Sequence, residues 1–315
     1  MNPVYDFIQR NRVLAIVEKA QSSNARSIIL EDFDLIQFPL VILNCQCLNY
    51  LNISHNNISE LPHDIVQLKN LQHLSLEYNN FTSFPKVLKN LPQLISINLS
   101  HNPMKDLSSD LGYLLSLETL WCNSCCLTQL PDEIGNLKKL ETFGARHNKI
   151  NKIPDTIGGM QNLKWLTFED NSLYTVPPSF AELQSLIHLN LSKNNFSYIP
   201  TEISKIKALR YLHLQNNELF TVPDKTVTDM PHVKIYLQNN PLQPDNERIF
   251  PNVIITGREN DILDLVAQDS DSSSDDWDNS VDSSDINYSG SESEESDIEE
   301  VLSNIPKLSK YIIPS

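Results

Sequence analysis

Apolar residues recur along this chain with a period of 23 residues. In residues 186–208, Leu189 and Leu191 alternate with polar residues as in a short strand, Asn194 follows, and apolar residues then step at wider intervals on either side of Pro200. Alternation with period two indicates a strand, and the wider spacing indicates a turn and a returning segment. The same unit begins, without a gap, at Ala25, Leu48, Leu71, Leu94, Leu117, Leu140, Leu163, Leu186, Leu209 and His232. The pattern predicts ten units stacked along one axis.

Asparagine and proline hold two fixed positions within the unit. The ninth position holds Asn56, Asn79, Asn102, Asn148, Asn171, Asn194, Asn217 and Asn240, with Phe33 and Cys125 as exceptions. In the first nine repeats the fifteenth position holds Pro39, Pro62, Pro85, Pro131, Pro154, Pro177, Pro200 and Pro223, with Ser108 as the exception. We expect the asparagines to bond backbone groups of neighbouring units that strand pairing leaves free. Proline fixes φ and lacks an N–H donor, so it suits the start of a helical return segment.

These residues follow the pattern LxxLxLxxNxLxxLPxxIxxLxxL over about residues 25–250, and the chain thereby resembles the leucine-rich repeat family. The 23-residue form with LPxxI is similar to the intracellular scaffold-type repeats of proteins such as Erbin and Scribble. The resemblance implies an α/β fold, a curved horseshoe-shaped solenoid with a parallel sheet on its concave side. It also implies a surface for protein partners, because repeats of this kind mostly supply a surface.

The pattern divides the chain into five segments. A helical apolar stripe predicts an N-terminal capping helix in residues 1–24, with a partner-binding amphipathic helix as the alternative. The solenoid of ten repeats occupies residues 25–256, and a second capping helix is expected at 257–267. Residues 268–300 contain 13 acidic residues, 11 serines and no basic residue, which predicts a disordered tail. Residues 301–315 are apolar and weakly basic, so we expect a short docking motif there, with an unstructured end as the alternative.

The acidic charge is concentrated at the C-terminus and limits the classes of partner. The net charge is −16, and residues 268–315 carry 13 acidic and 2 basic residues against 27 and 22 in residues 1–267. This balance argues against a direct nucleic-acid partner. Charged residues interrupt the apolar positions of the N-terminus, and no stretch approaches a membrane span, so we expect a protein of the cytoplasm or nucleus that does not contact a membrane.

The five cysteines agree with an intracellular placement, because neither end carries a disulfide-rich cap. Cys122 and Cys125 have the spacing of half a zinc or redox site, but no second pair of ligands follows. Both already occupy repeat positions, which favours a structural role. The chain also lacks a phosphate-binding glycine loop, an HExxH motif and a nucleophile elbow, so we predict no enzyme activity, no cofactor and no metal.

Side chains at the third, fifth, seventh and eighth positions of each repeat should line the concave face. Trp121 and Trp165 lie there on either side of Gly144, which predicts a depression between them, and Arg146 adjoins it. Tryptophan and arginine dominate binding hot spots, although a tryptophan on a strand can also simply pack on its neighbours. We expect the partner-binding residues to be Trp121, Arg146, His147, Trp165, Glu169, Asp170, His188, Tyr211, His213 and Tyr236.

The acidic tail has two possible roles, in regulation or in solubility. Five serines have an acidic residue three positions on, the pattern that acidophilic kinases prefer: Ser272, Ser273, Ser289, Ser291 and Ser296. Repeats six to ten carry five basic residues that are expected near the concave face, against three acidic ones: Arg146, Lys164, Lys193, Arg210 and Lys234 against Glu141, Glu169 and Asp170. Repeats one to three offer mainly Glu31, Asp32 and Glu77 there. This asymmetry, together with Trp277, predicts that part of the tail folds back on that half of the face.

The combined expectation is a monomeric intracellular adaptor that binds a protein on its concave face. By resemblance, the partner would be a small GTPase, a kinase or a phosphatase in signal transduction. Two alternatives remain. One is a substrate-recruiting subunit of a ubiquitin ligase, for which residues 3–21 are the candidate adaptor-binding helix, and the other is an acidic chaperone for basic proteins.

Overall fold

The computed structural model of the protein describes residues 3–222, 224–243 and 251–255. One helix, α1 (Pro3–Ser22), precedes the repeats, and a short helix, α2 (Asp224–Thr228), lies in the ninth repeat. The strands are β1 (Ser27–Ile29), β2 (Tyr50–Asn52), β3 (His73–Ser75), β4 (Ser96–Asn98), β5 (Thr119–Trp121), β6 (Thr142–Gly144), β7 (Trp165–Thr167), β8 (His188–Asn190), β9 (Tyr211–His213), β10 (Lys234–Tyr236) and β11 (Val253–Ile254).

The strands form one parallel sheet in sequence order, from β1 to β11. Residues 23 positions apart pair with each other, as Leu166 does with Leu189 and Leu189 with Leu212. The period of the sequence is therefore the register of the sheet, and the predicted leucine-rich repeat solenoid is confirmed. The strand β11, which pairs with β10, adds one strand to the ten that the repeats predict.

Short 3-10 segments return the chain on the side opposite the sheet. They are Leu40–Asn44, His63–Gln67, Lys86–Asn90, Ser109–Tyr113, Asp132–Asn136, Asp155–Gly159, Pro178–Glu182 and Ile203–Lys205. Proline precedes six of them as the N-cap residue, in an extended conformation. Ser108 takes this place in the fourth repeat, and its hydroxyl accepts a hydrogen bond from the Asp110 N–H at 3.2 Å. A side-chain cap thus stands where the other repeats have proline.

The asparagines of the ninth position form a buried hydrogen-bonded ladder between repeats. Asn194 is representative: its Oδ1 accepts from the Leu173 N–H at 2.9 Å, and its Nδ2 donates to the Phe168 carbonyl at 2.8 Å. The same Nδ2 also reaches the carbonyls of Leu191 and Ser192 within its own repeat. At the exception in the fifth repeat, the Cys125 thiol donates to the Leu99 carbonyl at 3.2 Å. The predicted role of this position is therefore observed.

A thin apolar core runs the length of the array between the sheet and the 3-10 segments. Its leucines and isoleucines, such as Leu51 and Leu189, are fully buried in repeat after repeat. At the N-terminal end, α1 contributes Val13 and Val17 to this core, at the place where the sequence predicts a capping helix. The Arg12 guanidinium lies over the Phe33 ring, 4.9 Å from its centroid, which adds a cation–π contact between α1 and the first repeat.

The ninth repeat differs from the others because its apolar residues fall one position later. There α2 replaces the 3-10 segment, and Val227 and Met230 remain buried. An α-helical turn thus accommodates the shifted residues. The expected capping helix at 257–267, the acidic tail at 268–300 and the motif at 301–315 lie outside the described residues, as do all five candidate phosphorylation sites.

Glycines allow the 3-10 segments of the middle repeats to approach closely. A Cβ added to Gly112 would lie 2.6 Å from the Glu133 Cβ, and one added to Gly158 would lie 2.7 Å from the Ser179 carbonyl oxygen. At Gly135 an added Cβ would collide with the Thr156 carbonyl oxygen. These three glycines occupy the same position in repeats four, five and six. The convex side therefore has no room for side chains there.

The asparagine ladder predicts a large cost for Asn194→Ala. The substitution leaves the buried Leu173 N–H without its acceptor and removes one of the two amide donors to the Phe168 carbonyl, which should lower the free energy of unfolding by about 1–3 kcal/mol. Asn195→Ala is the matched control, since Asn195 is the next residue and is exposed. Urea denaturation of both variants measures the difference. Equal midpoints would show that the ladder does not stabilise the array.

The close convex packing predicts that Gly135→Ala is destabilising by about 1–3 kcal/mol, because the fifth and sixth return segments must separate to admit the methyl group. Lys89→Ala places the same residue at the same repeat position, where the side chain is exposed, and should change stability by no more than about 0.5–1 kcal/mol. Thermal unfolding followed by circular dichroism compares the two variants. A Gly135→Ala protein as stable as the parent would contradict the packing constraint.

Candidate protein-binding surface

The sheet presents the third and fifth positions of each repeat on the concave side, where they form columns. Trp121 and Tyr236 belong to the fifth-position column, and Trp165, His188 and Tyr211 belong to the third-position column. The four tryptophan and tyrosine side chains are buried, yet they are not part of the continuous apolar core. They therefore form a second packed layer on the concave side of the sheet.

The structure overturns the expected depression at Gly144. The indole of Trp121 occupies the space over this residue, so that a Cβ at Gly144 would collide with the ring. Trp121 is only 2% exposed and Trp165 5% exposed. From sequence position alone, both indole rings are expected to project as hot spots. Gly144, one repeat after Trp121, instead leaves room for the Trp121 ring to lie over the sheet. The alternative, in which each tryptophan packs on its neighbours, describes the geometry better.

An aromatic band crosses repeats seven to ten. The Trp165 and His188 rings stack with centroids 3.8 Å apart and an angle of 5° between their planes. His213 stacks on Tyr236 in the same way at 4.5 Å, and His188 and His213 lie 4.8 Å apart. Tyr211 completes the group, 6.3 Å from His188. The structure thus brings together five of the predicted site residues in one contiguous band.

Burial keeps His213, one member of this band, uncharged. Desolvation lowers the pKa of His213 to about 4, although a hydrogen bond with Gln215 opposes the shift. His213 is therefore uncharged at neutral pH and contributes ring surface, while its Nδ1 accepts from Gln215 Nε2 at 3.2 Å. In the N-terminal half of the face, burial also lowers the pKa of His73 and raises the pKa of Glu77. Hydrogen bonds on this face should be stronger than in water, because the groups that form them are buried.

The eighth position of every repeat forms one rim of the face and has a left-handed backbone. These residues have φ between 48° and 59°: Asp32, His55, Tyr78, His101, Ser124, His147, Asp170, Lys193, Asn216 and Asn239. Tyr78 stacks between two imidazoles, 4.3 Å from His55 and 3.9 Å from His101. Tyr78 remains 43% exposed, so this stack is accessible. The sequence analysis did not single it out. Ring-bearing residues at the same position of three successive repeats are the signal that could have identified it.

Charged site residues pair across neighbouring repeats. His147 Nδ1 lies 2.8 Å from Asp170 Oδ2 on the rim, and both side chains are exposed. Buried Glu169 accepts a hydrogen bond from Lys193 Nζ at 2.7 Å, and Lys164 pairs with Glu141 at 3.0 Å. Arg146 is buried on the concave side. Lys164 and Lys193 are thus already paired with carboxylates, so the positive character of this half is smaller than the sequence suggests.

Several buried donors of the concave layer lack acceptors. In the part of the chain that the structure describes, neither the Trp121 nor the Trp165 indole N–H has a hydrogen-bond partner. The same is true of the Ser96 and Thr142 hydroxyls, which lie in the third-position column. All four residues fall within repeats four to seven. Such groups are uncommon in folded proteins, because each costs about 1–3 kcal/mol when buried without a partner.

Cys122 and Cys125 serve the fold rather than a reactive site. The Cys122 thiol contacts the Gly144 carbonyl at 3.3 Å, and burial raises the pKa of Cys125 to about 12. Such thiols remain protonated and unreactive at neutral pH. Within the described ranges, no three histidine, cysteine or acidic side chains are grouped to hold a metal ion. Neither of the helices there has the length and apolar character needed to cross a membrane.

Comparison with known proteins relates this architecture to solved structures. A leucine-rich repeat protein of Leptospira interrogans is 27% identical with a TM-score of 0.56, over 76% of this chain and 75% of that one. The leucine-rich repeat ectodomain of the Arabidopsis thaliana receptor kinase GASSHO1/SCHENGEN3 is also 27% identical, with a TM-score of 0.59, over 70% of this chain and 28% of that one. The Drosophila Toll–Spatzle complex, at 21% identity, 71% and 32% coverage and a TM-score of 0.61, shares the fold alone.

Sequence comparison gives the family directly. No curated protein sequence matches significantly. A family model described as a leucine-rich repeat region matches residues 105–230, and a second, described as a leucine rich repeat, matches residues 46–104. The two matches adjoin and together span residues 46–230, which is more than half of the 315 residues. With the parallel sheet and the asparagine ladder, they show that the chain belongs to the leucine-rich repeat family.

Proposed function

We propose that this protein is an adaptor that binds a protein partner through the concave face and its rim. The observation that carries the proposal is the second layer of side chains, which the core does not require. This layer combines an aromatic band in repeats seven to ten with donors that lack acceptors in repeats four to seven. A polypeptide laid across the face would contact the aromatic band and the exposed residues of the rim.

The solved relatives support a protein or peptide as the partner. The GASSHO1/SCHENGEN3 ectodomain was solved in complex with CASPARIAN STRIP INTEGRITY FACTOR 2, and the plant peptide hormone receptor RGFR1 in complex with RGF2. The two family models describe repeats and no catalytic domain, so the proposed role is binding alone.

The proposed contact residues differ in accessibility. His147 and Asp170 on the rim are exposed and available to a partner from the start. The buried residues of the face contribute through ring edges and polar atoms: Trp121, Arg146, Trp165, Glu169, His188, Tyr211, His213 and Tyr236. The exposed stack around Tyr78 extends the proposed surface toward the N-terminal repeats.

The finer assignment is a monomeric scaffold of the Erbin and Scribble type. It would act in the cytoplasm or nucleus, with a small GTPase, kinase or phosphatase as partner. It rests on the 23-residue form of the repeat, on LPxxI and on the lack of disulfide-rich caps. Phosphorylation of the tail at Ser272, Ser273, Ser289, Ser291 or Ser296 would add negative charge and regulate binding. The acidic chaperone alternative rests on the composition of the same tail.

A ubiquitin-ligase subunit is the second candidate, and α1 is the element that favours it. Ile8 is 49% exposed and Leu14 40% exposed, although α1 buries Val13 and Val17 against the repeats. The helix therefore offers apolar side chains to a second protein while it caps the core. Under this proposal α1 would contact the ligase and the concave face would recruit the substrate.

Partner binding on the rim predicts a loss of partner for His147→Ala/Asp170→Ala. This double variant removes an exposed ion pair from the concave rim, so recovery of the partner should fall by about tenfold if the pair contributes 1–2 kcal/mol. Lys89→Ala/Asp110→Ala is the matched control, because it removes a 3.2 Å ion pair between neighbouring repeats on the convex side.

Affinity purification with quantitative mass spectrometry compares both variants with the parent, using the full chain. Proteins that bind the concave face should be depleted only in the rim variant. Equal recovery from the rim variant and the parent, with both proteins folded by circular dichroism, would rule out this surface. Loss of the same proteins in Ile8→Asp/Leu14→Asp alone would favour binding through α1 instead.

A further inference from the structure

The same arrangement of side chains occurs at three places on the concave face. At each place, a glutamate at the seventh position of one repeat lies beside an asparagine at the fifth position of the next repeat. The asparagine Nδ2 donates each time to the glutamate Oε2: Asn52 to Glu31 at 3.5 Å, Asn98 to Glu77 at 2.7 Å and Asn190 to Glu169 at 3.3 Å. The repeats therefore provide three equivalent carboxylates that can be compared atom by atom.

At two of the three places, the other carboxylate oxygen, Oε1, has a nitrogen neighbour from the eighth position of the next repeat. Lys193 Nζ lies 2.7 Å from Glu169 Oε1. His55 Nε2 lies 3.7 Å from Glu31 Oε1. The same oxygen thus faces the same repeat position in both cases, and at Glu169 that position supplies an ammonium group.

Glu77 lacks such a neighbour. The eighth position of the next repeat holds His101, whose ring stacks on Tyr78 instead, with centroids 3.9 Å apart. In the part of the chain that the structure describes, Glu77 forms no ion pair and its Oε1 accepts no hydrogen bond. Glu77 is only partly buried, and Oε1 is not one of the buried polar atoms without a partner, so a ligand atom can reach it.

The surroundings of Glu77 compensate its charge only in part. Desolvation raises the pKa of this carboxyl, and the charge of Glu31 raises it further, although His55 and the hydrogen bond from Asn98 oppose the shift. A cation at Oε1 would stabilise the ionised carboxylate, because an opposite charge in contact favours the charged form.

The charge of the N-terminal half of the face agrees with a basic ligand. The third, fifth, seventh and eighth positions of repeats one to five hold Glu31, Asp32 and Glu77 but no lysine or arginine. Tyr78, which follows Glu77, is exposed and offers ring surface to the methylene chain of a long basic side chain. Charge and shape therefore favour lysine or arginine over a neutral or acidic group.

We propose that the Glu77 carboxylate binds the side-chain cation of a lysine or arginine in an extended basic segment of the protein partner. The cation occupies the place at Oε1 that Lys193 Nζ occupies beside Glu169, and its methylene chain packs against Tyr78. The inference rests on the proposed function, because it gives the chemistry of the ligand for one half of the same concave face.

His101→Lys tests this geometry within the chain itself. Lys193 has φ of 53° and His101 has φ of 55°, so a lysine fits the backbone at this position. Its ammonium group should reach Glu77 Oε1 and lower the pKa of Glu77 by about 1–3. The pH dependence of the Glu77 carboxyl carbon-13 signal, which Glu77→Gln assigns, measures this change in the full chain.

Asn216→Lys is the matched control, because it adds the same charge at the eighth position five repeats away, where φ is also 53°. This variant should leave the pKa of Glu77 as it is in the parent. An unchanged pKa in His101→Lys would overturn the proposal, since a cation at the equivalent position would then not pair with Glu77.

A peptide probe tests the chemistry of the ligand. The probe is a capped peptide of alternating lysine and alanine, and its control carries acetylated lysine side chains, which are uncharged. Binding is followed by the backbone amide signal of Tyr78 in the full chain, so that peptide bound to the acidic tail does not contribute. The affinity of the lysine peptide should fall by about five- to tenfold in Glu77→Gln and in His101→Lys, where the site is removed or occupied.

Glu60→Gln removes the same charge from an exposed side chain at the thirteenth position, outside the concave face, and should bind as the parent does. Equal affinity of Glu77→Gln and the parent would overturn the proposal. Equal affinity of the charged and acetylated peptides, or no shift of the Tyr78 signal in the parent, would overturn it as well. If it fails while His147→Ala/Asp170→Ala still loses its partners, the proposed function stands and only the basic ligand is withdrawn.

Discussion

The asparagine amide that joins neighbouring repeats is the interaction on which this structure depends. Each strand is three residues long or shorter, so strand pairing satisfies only a few backbone groups of each repeat. The ladder provides the rest: Asn171 accepts from the Ile150 N–H and donates to the Ala145 carbonyl, both in the preceding repeat. The Ile150 N–H is thus satisfied only when the next repeat is in place, and the Ala145 carbonyl then gains a second donor beside Asn148 Nδ2. The free energy of unfolding therefore increases with each interface between neighbouring repeats, and a terminal repeat without a cap destabilises the array.

The convex and concave sides of the array differ in the room that they leave for side chains. On the convex side, Gly112, Gly135 and Gly158 permit contacts that any side chain would block. On the concave side, the missing side chain of Gly144 makes room for the Trp121 ring. The middle repeats therefore keep bulky and polar side chains on the concave face and its rim. This distribution places recognition chemistry on the same side of the solenoid as the sheet.

The sequence predicts the backbone of this protein better than its surface. The 23-residue period is the strand register, and the asparagine and proline positions identify the ladder and the return segments, because each has a single physical role repeated many times. Ring orientation has no such signal: the Trp121 indole lies over Gly144 instead of flanking a depression. A count of charged residues also does not show which charges are paired: Lys164 and Lys193 form ion pairs with carboxylates of neighbouring repeats. The left-handed rim follows from backbone geometry, whereas the ring-bearing residues at the eighth position of three successive repeats are a sequence signal for the stack around Tyr78.

Burial determines how the concave face can recognise a ligand. Desolvation keeps His213 neutral and raises the pKa of Glu77, so charge on this layer is itself costly. Hydrogen bonds and ring contacts then carry the selectivity within the face, while charged groups at the rim, such as Asp170 and Lys193, affect the approach of a ligand more than its final affinity.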